Sequence, residues 1–157
     1  MLAELAECQH DKIVVTPSRK SVERLESYLR EFPQVEIKAE HKFAPGLYIR
    51  QITIPAGVLA TGAACKEEHF SVMVSGRMSV LADGAIRDIA GYHDWIAPAG
   101  VKRVGIAVED TVWFTVHPNP TNERDIAKLE DALFEGAEDL LSRRIADGRA
   151  TTVERLS

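Results

Sequence analysis

The sequence predicts a mainly β fold, a small sandwich or barrel with helices before and after it. Three observations carry this. Between Val35 and His117 the chain is cut into short segments rich in Val, Ile, Tyr and Trp, separated by Gly, Pro and Asp-Gly punctuation, the pattern of many short strands joined by turns. On either side of that region the apolar period switches to helical spacing. The length of 157 residues, 45% hydrophobic and 27% charged, suits one soluble globular domain with a single core.

Taken in order, residues 2–9 read as a short helix with Leu2, Leu5 and Ala6 on one face, and Lys12 to Thr16 as a β-branched strand. Thr16-Pro17-Ser18 is a helix-start signal, with Pro near the first turn and hydroxyls available to cap. Val22, Leu25, Tyr28, Leu29 and Phe32 then predict a helix over Arg19 to Glu31, closed by Pro33. The strand segments are Leu47–Ile54, Val58–Cys65, His69–Val74, Arg77–Leu81, Ala85–Ile89, Asp94–Ala97, Arg103–Val108 and Thr111–His117. Asp83-Gly84 is the best hairpin turn, because a primed turn needs positive φ at its centre. Pro55-Ala56-Gly57 and Pro98-Ala99-Gly100 are turns placed before new strands. Ile126, Leu129, Leu133, Leu140 and Leu141 predict an amphipathic helical region broken at Gly136, with a loosely held tail from Arg149.

Charge and composition exclude several classes. A net charge of −5 does not suit a general nucleic-acid binder. No apolar run approaches the roughly 18–20 residues of a membrane span, and the acidic N-terminus does not read as a secretory signal. The cysteines, Cys8 and Cys65, are far apart and suggest reduced thiols in a cytoplasmic protein. There is no Gly-rich phosphate loop and no nucleophile elbow.

The stretch with the most chemistry runs from Gly57 to Arg103. Gly57 is followed after five residues by Ala63-Ala64-Cys65, then after three more by His69, and after six more by Gly76; Pro98-Ala99-Gly100-Val101-Lys102-Arg103 comes downstream. This framework resembles the two motifs of the cupin superfamily over about residues 45 to 117. Ala63 and Cys65 take the two histidine positions, His69 the glutamate position, and Arg103 the position of the fourth ligand. The chain is also similar to small cupin-like proteins of tailed phages and prophages. The carrying residues are Val22-Glu23-Arg24-Leu25, Cys65 to His69, Lys102-Arg103, and Asp110-Thr111-Val112-Trp113 to His117-Pro118, with Cys65 in place of a histidine.

The resemblance implies a single cupin-type (jelly-roll) β-barrel domain with flanking N- and C-terminal helices. Its divisions would be an arm at 1–44, a barrel at 45–118, a helical segment at 119–148 and a tail at 149–157. It implies a homodimer, in the host-cell cytoplasm or associated with a virion if phage-encoded, with a phage or host protein as a further partner.

On their own chemistry, Cys65 and His69 flank a turn and suit a divalent transition metal (zinc, iron, nickel or manganese). His117 is the natural third ligand. Strand alternation, however, puts it with Thr111, Trp113 and Thr115, opposite the more apolar Val112, Phe114 and Val116, the face ordinarily expected to be the core. Arg103 repels a divalent cation at close range and suits a carboxylate or phosphate ligand, with Glu67 or Glu68 able to neutralise it; Glu68 is the second ligand-binding candidate. A metal-free cup therefore stays open beside the metal-bound one. Trp95 and Trp113 read as core or interface anchors, and His41, His10 and His93 as non-ligands. Three functions follow. The first is a small-molecule or metal-binding cup, with metal-assisted isomerisation, hydrolysis or oxygen chemistry on a small anion if enzymatic. The second is a scaffold whose terminal helices contact partners, and the third a thiol function at Cys65 and His69.

Overall fold

The computed structural model describes residues 18–82 and 85–153. The expected helix at 2–9, the strand at 12–16, Cys8, His10, the first residues of the helix-start signal, the Asp83-Gly84 turn and the last four residues lie outside them. Helix α1 (Arg19–Leu29) is capped by Ser18, whose side chain accepts a hydrogen bond from the Ser21 N–H, and it ends two residues earlier than the periodicity predicts. Two β-sheets follow. One holds five strands in the order β2 (Ala39–Ala44), β3 (Gly46–Ile54), β10 (Thr111–Asn119), β5 (His69–Ser75), β8 (His93–Ala97); the other holds four, β4 (Leu59–Thr61), β9 (Val104–Ala107), β6 (Arg77–Ala82), β7 (Ala85–Ala90). Neighbours within both sheets run antiparallel.

The sheets face each other across one core. Ile54 and Met73 from the five-stranded sheet pack with Met78, Val80 and Ala107 from the four-stranded one, and Trp95 and Trp113 close over this cluster. The two indoles meet edge to face, their ring centroids 4.8 Å apart, a favoured aromatic geometry. The Trp113 Nε1–H donates to Ser71 Oγ at 2.9 Å, which satisfies its one polar atom inside the packing.

Several boundaries differ from the sequence expectation. Ala39–Ala44 is a strand paired along its length with β3; its alternation Glu40-His41-Lys42 is too polar to register as one. Of the expected strand Val58–Cys65 only Leu59–Thr61 pairs as a strand, and Cys65 makes an isolated bridge to Phe134 instead. The strand from Thr111 runs on to Asn119, through Pro118. β6 and β7 pair in antiparallel register up to Ala82↔Ala85, on either side of Asp83-Gly84.

The C-terminal region is helix α2 (Ile126–Leu133), a 3-10 turn (Ala137–Asp139) and helix α3 (Leu141–Ala146). Asp125 caps α2 by accepting from the Ala127 and Lys128 N–H groups. The break falls at Gly136, whose φ of +61° is left-handed, a conformation glycine adopts without steric cost. Arg149 is tied down rather than loose: its guanidinium donates to the Glu138 carbonyl oxygen. Strand β11 (Thr152–Val153) then runs parallel to β1 (Gln34–Val35).

Helix α1 is clasped to the rest of the molecule by ion pairs of unequal worth. Arg19–Glu135 and Arg30–Asp139 are exposed and contribute little. Lys102–Glu26 is different, with only 13% and 12% of the side chains exposed. Removing one partner strands the other away from water. Lys102→Ala is therefore expected to cost about 2 kcal/mol, below the range of about 3–5 kcal/mol for a wholly buried pair. Urea denaturation of the two proteins measures it.

Candidate functional site

The site forms where the loop after β4 meets the C-terminal end of α2. Gly62 donates to the Arg103 carbonyl at 2.9 Å, Lys66 to the Leu133 carbonyl at 2.9 Å, and Glu135 to the Ala64 carbonyl at 2.9 Å. The N–H of Gly100, from the second motif turn, donates to the Cys65 carbonyl at 2.8 Å. Loop, helix end and turn are thus stitched together by main-chain bonds, and Cys65 sits at their junction, 5% exposed. Its side chain packs with Phe134 and Ala137 in a small second core. Gly57 and Gly100 have φ of +82° and +74°, so both motif turns use the left-handed backbone their glycines permit.

Cys65, His69 and His117 converge. One candidate ligand atom from each lies within 4.8 Å of the others. His69 Nδ1–H donates to the Glu67 carbonyl at 3.1 Å; a carbonyl can only accept, so this bond fixes the neutral tautomer and leaves Nε2 as an acceptor, towards which the Cys65 thiol donates. That Nε2 stands 3.6 Å from Cys65 Sγ. Sulfur and nitrogen ligands at about 2.3 and 2.0 Å from one tetrahedral ion stand about 3.5 Å apart, so the pair already has the spacing of co-ligands. The His69 and His117 rings stack, centroids 5.0 Å apart. Phe134 meets the His117 ring edge to face at 5.7 Å, and His117 Nε2 is hydrogen-bonded to the Thr115 hydroxyl at 2.8 Å.

The alternation argument against His117 is corrected. Thr111 and His117 are buried, Trp113 and Thr115 line the interior cavity, and Val112, Phe114 and Val116 are only half-buried. The polar face of β10 is the inner one because its polar atoms find partners there: Thr111 Oγ1 donates to the Glu109 carbonyl, His117 pairs with Thr115, and Trp113 pairs with Ser71. Burial of polar groups carries little penalty once they are hydrogen-bonded.

Burial also sets the protonation states. It pushes the Cys65 thiol up to about 11, outweighing the pull of the Arg50 and Arg103 charges in the other direction. Burial holds His117 down at about 4, with the neighbouring His69 and Arg50 adding to the effect. His69 is lowered too, by burial and then, against the help of its carbonyl bond, by Arg103. At neutral pH both imidazoles are neutral and available as ligands, while the thiol keeps its proton until a metal displaces it. An activated thiol needs the opposite shift, so burial of Cys65 works against a metal-free thiol function.

A stability consequence follows for His117. Its folded pKa lies below the ordinary 6.5, so the unfolded chain takes up a proton that the folded one refuses. The stability from keeping it neutral is present above pH 6.5 and is lost as pH falls from there towards 4. The loss is expected to reach up to about 3 kcal/mol. Thermal unfolding midpoints should therefore fall more steeply over that window in the parent than in His117→Asn.

The remaining sequence candidates separate. Arg103 lines the cavity, its guanidinium carbon 5.5 Å above the Trp95 ring. Glu68 does not reach the site: it is exposed on the turn and absent from the cavity wall. Two residues at the site are not anticipated by the sequence. Phe134 closes it from the α2 end. Arg50, on β3, lines the same cavity, with its guanidinium carbon 5.7 Å from the Phe134 ring centre. Arg50 shares a strand face with Tyr48, Ile52 and Ile54, and a charge in the middle of an inward apolar face is the signal that marks it. The cavity itself measures about 150 Å³ and is walled by both sheets.

No family model matches the chain, and no curated protein matches it in sequence. Among solved structures it is similar to KdgF from Halomonas sp., at a TM-score of 0.46 and 18% identity, covering 59% of this chain and 86% of that one. It is similar to a Cupin 2 conserved barrel domain protein from Salinispora arenicola, at 0.45 and 16%, covering 59% and 85%. An RmlC-like cupin from Shewanella frigidimarina aligns at 0.44 and 18%, covering 59% and 88%. No helix among the described residues is long and apolar enough to cross a membrane.

Proposed function

We propose that this chain is a cupin-type small-molecule-binding protein whose Cys65, His69 and His117 hold one divalent transition metal at the wall of the interior cavity. The observation that carries this is the convergence of three buried or half-buried ligand atoms within 4.8 Å, one of them a His69 Nε2 kept as an acceptor by the carbonyl bond at Nδ1. The residues fit a borderline-soft ion such as zinc: one thiolate and two neutral imidazoles leave a fourth position for water or substrate. A metal there would supply Lewis acidity towards an oxygen of the bound molecule. The protein's own part is to hold the ligands rigidly, to exclude bulk water with Phe134 and the apolar walls, and to offset the anionic charge of a ligand with Arg50 and Arg103. Metal analysis of the protein purified without added metal tests the proposal. About one equivalent of a transition metal per chain supports it; less than about a tenth of an equivalent, with stability indifferent to chelator, removes it.

A second reading is an interaction module of a phage particle or a host-takeover complex. It is favoured by the outer face of the five-stranded sheet. Phe70 and Ile96, directly opposite each other on β5 and β8, are 53% and 55% exposed. A second copy of the chain laid on this face gives a homodimer, in the host cytoplasm for a phage-encoded protein. Sedimentation equilibrium of the parent and of Phe70→Glu is the test. A dimer lost in the variant supports it, and a monomeric parent removes it.

A further inference from the structure

Two arginines enter the interior cavity from opposite sheets. Arg50 comes from β3 in the five-stranded sheet, and Arg103 from the residue before β9 in the four-stranded one. Among the described residues that line the cavity there is no Asp or Glu. Each guanidinium lies near an aromatic ring, Arg50 near Phe134 and Arg103 over Trp95, a contact that orients the planar group. The Arg50 Nε–H is buried and has no hydrogen-bond partner. A charged donor shut from water without an acceptor is costly, and an anion in the cavity supplies that acceptor. The rest of the wall is mostly apolar, with Ile52, Ile54, Val80 and Val104 among its residues. Such a wall favours a hydrocarbon body over a bare inorganic ion.

We propose that the cavity binds a small organic carboxylate, its head held jointly by Arg50 and Arg103 and its hydrocarbon body laid against the apolar wall. This rests on the reading of the cavity as a small-molecule site, and not on the metal. A guanidinium presents parallel N–H donors to a carboxylate, and such charge-assisted pairs are the stronger class of hydrogen bond. Arg50 orients the ligand head from the side of the cavity opposite Arg103.

The test is calorimetric titration of the full-length protein, freed of metal by chelator, with acetate, butyrate, hexanoate and inorganic phosphate at low ionic strength. Saturable binding is expected for hexanoate, with affinity rising a few-fold for each methylene from acetate upwards, about fourfold if the added carbons are fully buried. Phosphate should bind more weakly than hexanoate. Arg50→Gln and Arg103→Gln should each weaken hexanoate binding about tenfold or more, while Arg87→Gln, an exposed arginine on β7, leaves it unchanged. If Arg50→Gln does not fold, Arg50→Lys keeps the charge without the planar fork and should still bind measurably more weakly than the parent. No saturable binding of hexanoate, phosphate bound more tightly than hexanoate, or undiminished binding in the folded Arg50 variant overturns the proposal. Because the protein is metal-free throughout, failure here leaves the metal proposal standing, and absent metal uptake leaves the clamp standing.

Discussion

Alanine at position 76 is expected to abolish folding, or to leave a protein destabilised by at least about 4 kcal/mol, in the range reserved for severe backbone or core disruption. Gly76 joins β5 to β6 at a φ of +98°, a conformation that side-chain-bearing residues rarely adopt. A Cβ there would press on the Asp110 carbonyl oxygen and lie 2.6 Å from the Thr111 Cα. Both obstacles are main chain at the start of β10, the strand that carries Trp113, Thr115 and His117. They cannot move without shifting the register of the five-stranded sheet, in which β10 is the central strand. The Gly76 carbonyl also accepts from the Gly91 N–H at 2.9 Å, which ties the same bend to the start of β8. Far-UV circular dichroism with urea denaturation checks the expectation. Gly57→Ala is the contrast, because there a Cβ meets nothing within 4 Å and only the positive-φ cost of roughly 1 kcal/mol remains. Equal stability of Gly76→Ala and the parent would mean that the close approach of these two segments is not needed.

Replacing Cys65 by Ser is expected to lower zinc affinity by on the order of 100-fold or more, beyond the 10–100-fold carried by outer-shell partners of a metal ligand. The change removes the only anionic ligand of the three and leaves two neutral imidazoles beside two guanidinium charges. It should also change the pH dependence. In the parent the thiol, pushed up to about 11 by burial, must give up its proton to the solvent when metal binds. Affinity should then rise about tenfold per pH unit between pH 7 and 9. With both histidines already neutral there, the serine variant should show a flat profile. Competition against a chromophoric chelator measures both. A parent profile that is flat over this interval would place the thiolate outside the coordination shell.

Some of this was legible in the residues, and the limits have physical causes. Helix α1 could be found because its apolar stripe and its cap are both local features. The turns at Gly57 and Gly100 could be found because a left-handed backbone favours glycine. The pair Cys65 and His69 was accessible because both belong to one turn. What escaped is non-local. Phe134 reaches the site from a helix end some seventy residues away, brought there by main-chain hydrogen bonds to Ala64 and Lys66 that no side-chain pattern announces. Strand β2 pairs along an edge with exposed polar residues alternating outward, so it lacks the apolar period that marks buried strands. On β10 apolarity is a poor guide to which face is inner. The Thr, Trp and His side chains on that face point inward, buried or lining the cavity, with hydrogen bonds made there. Arg50 was hidden for the same reason, since a charge on an inward face makes sense only once a cavity is seen in front of it.

Cobalt(II) titration of the chelator-treated protein, followed by absorption, answers whether Cys65, His69 and His117 share one ion. The expected result is saturation at about one equivalent per chain, with a thiolate-to-cobalt charge-transfer band and the visible bands of a tetrahedral site. The charge-transfer band should vanish in Cys65→Ser, and the visible bands should change in His117→Asn. A titration with no charge-transfer band, or a band unaltered in the Cys65 variant, would contradict it.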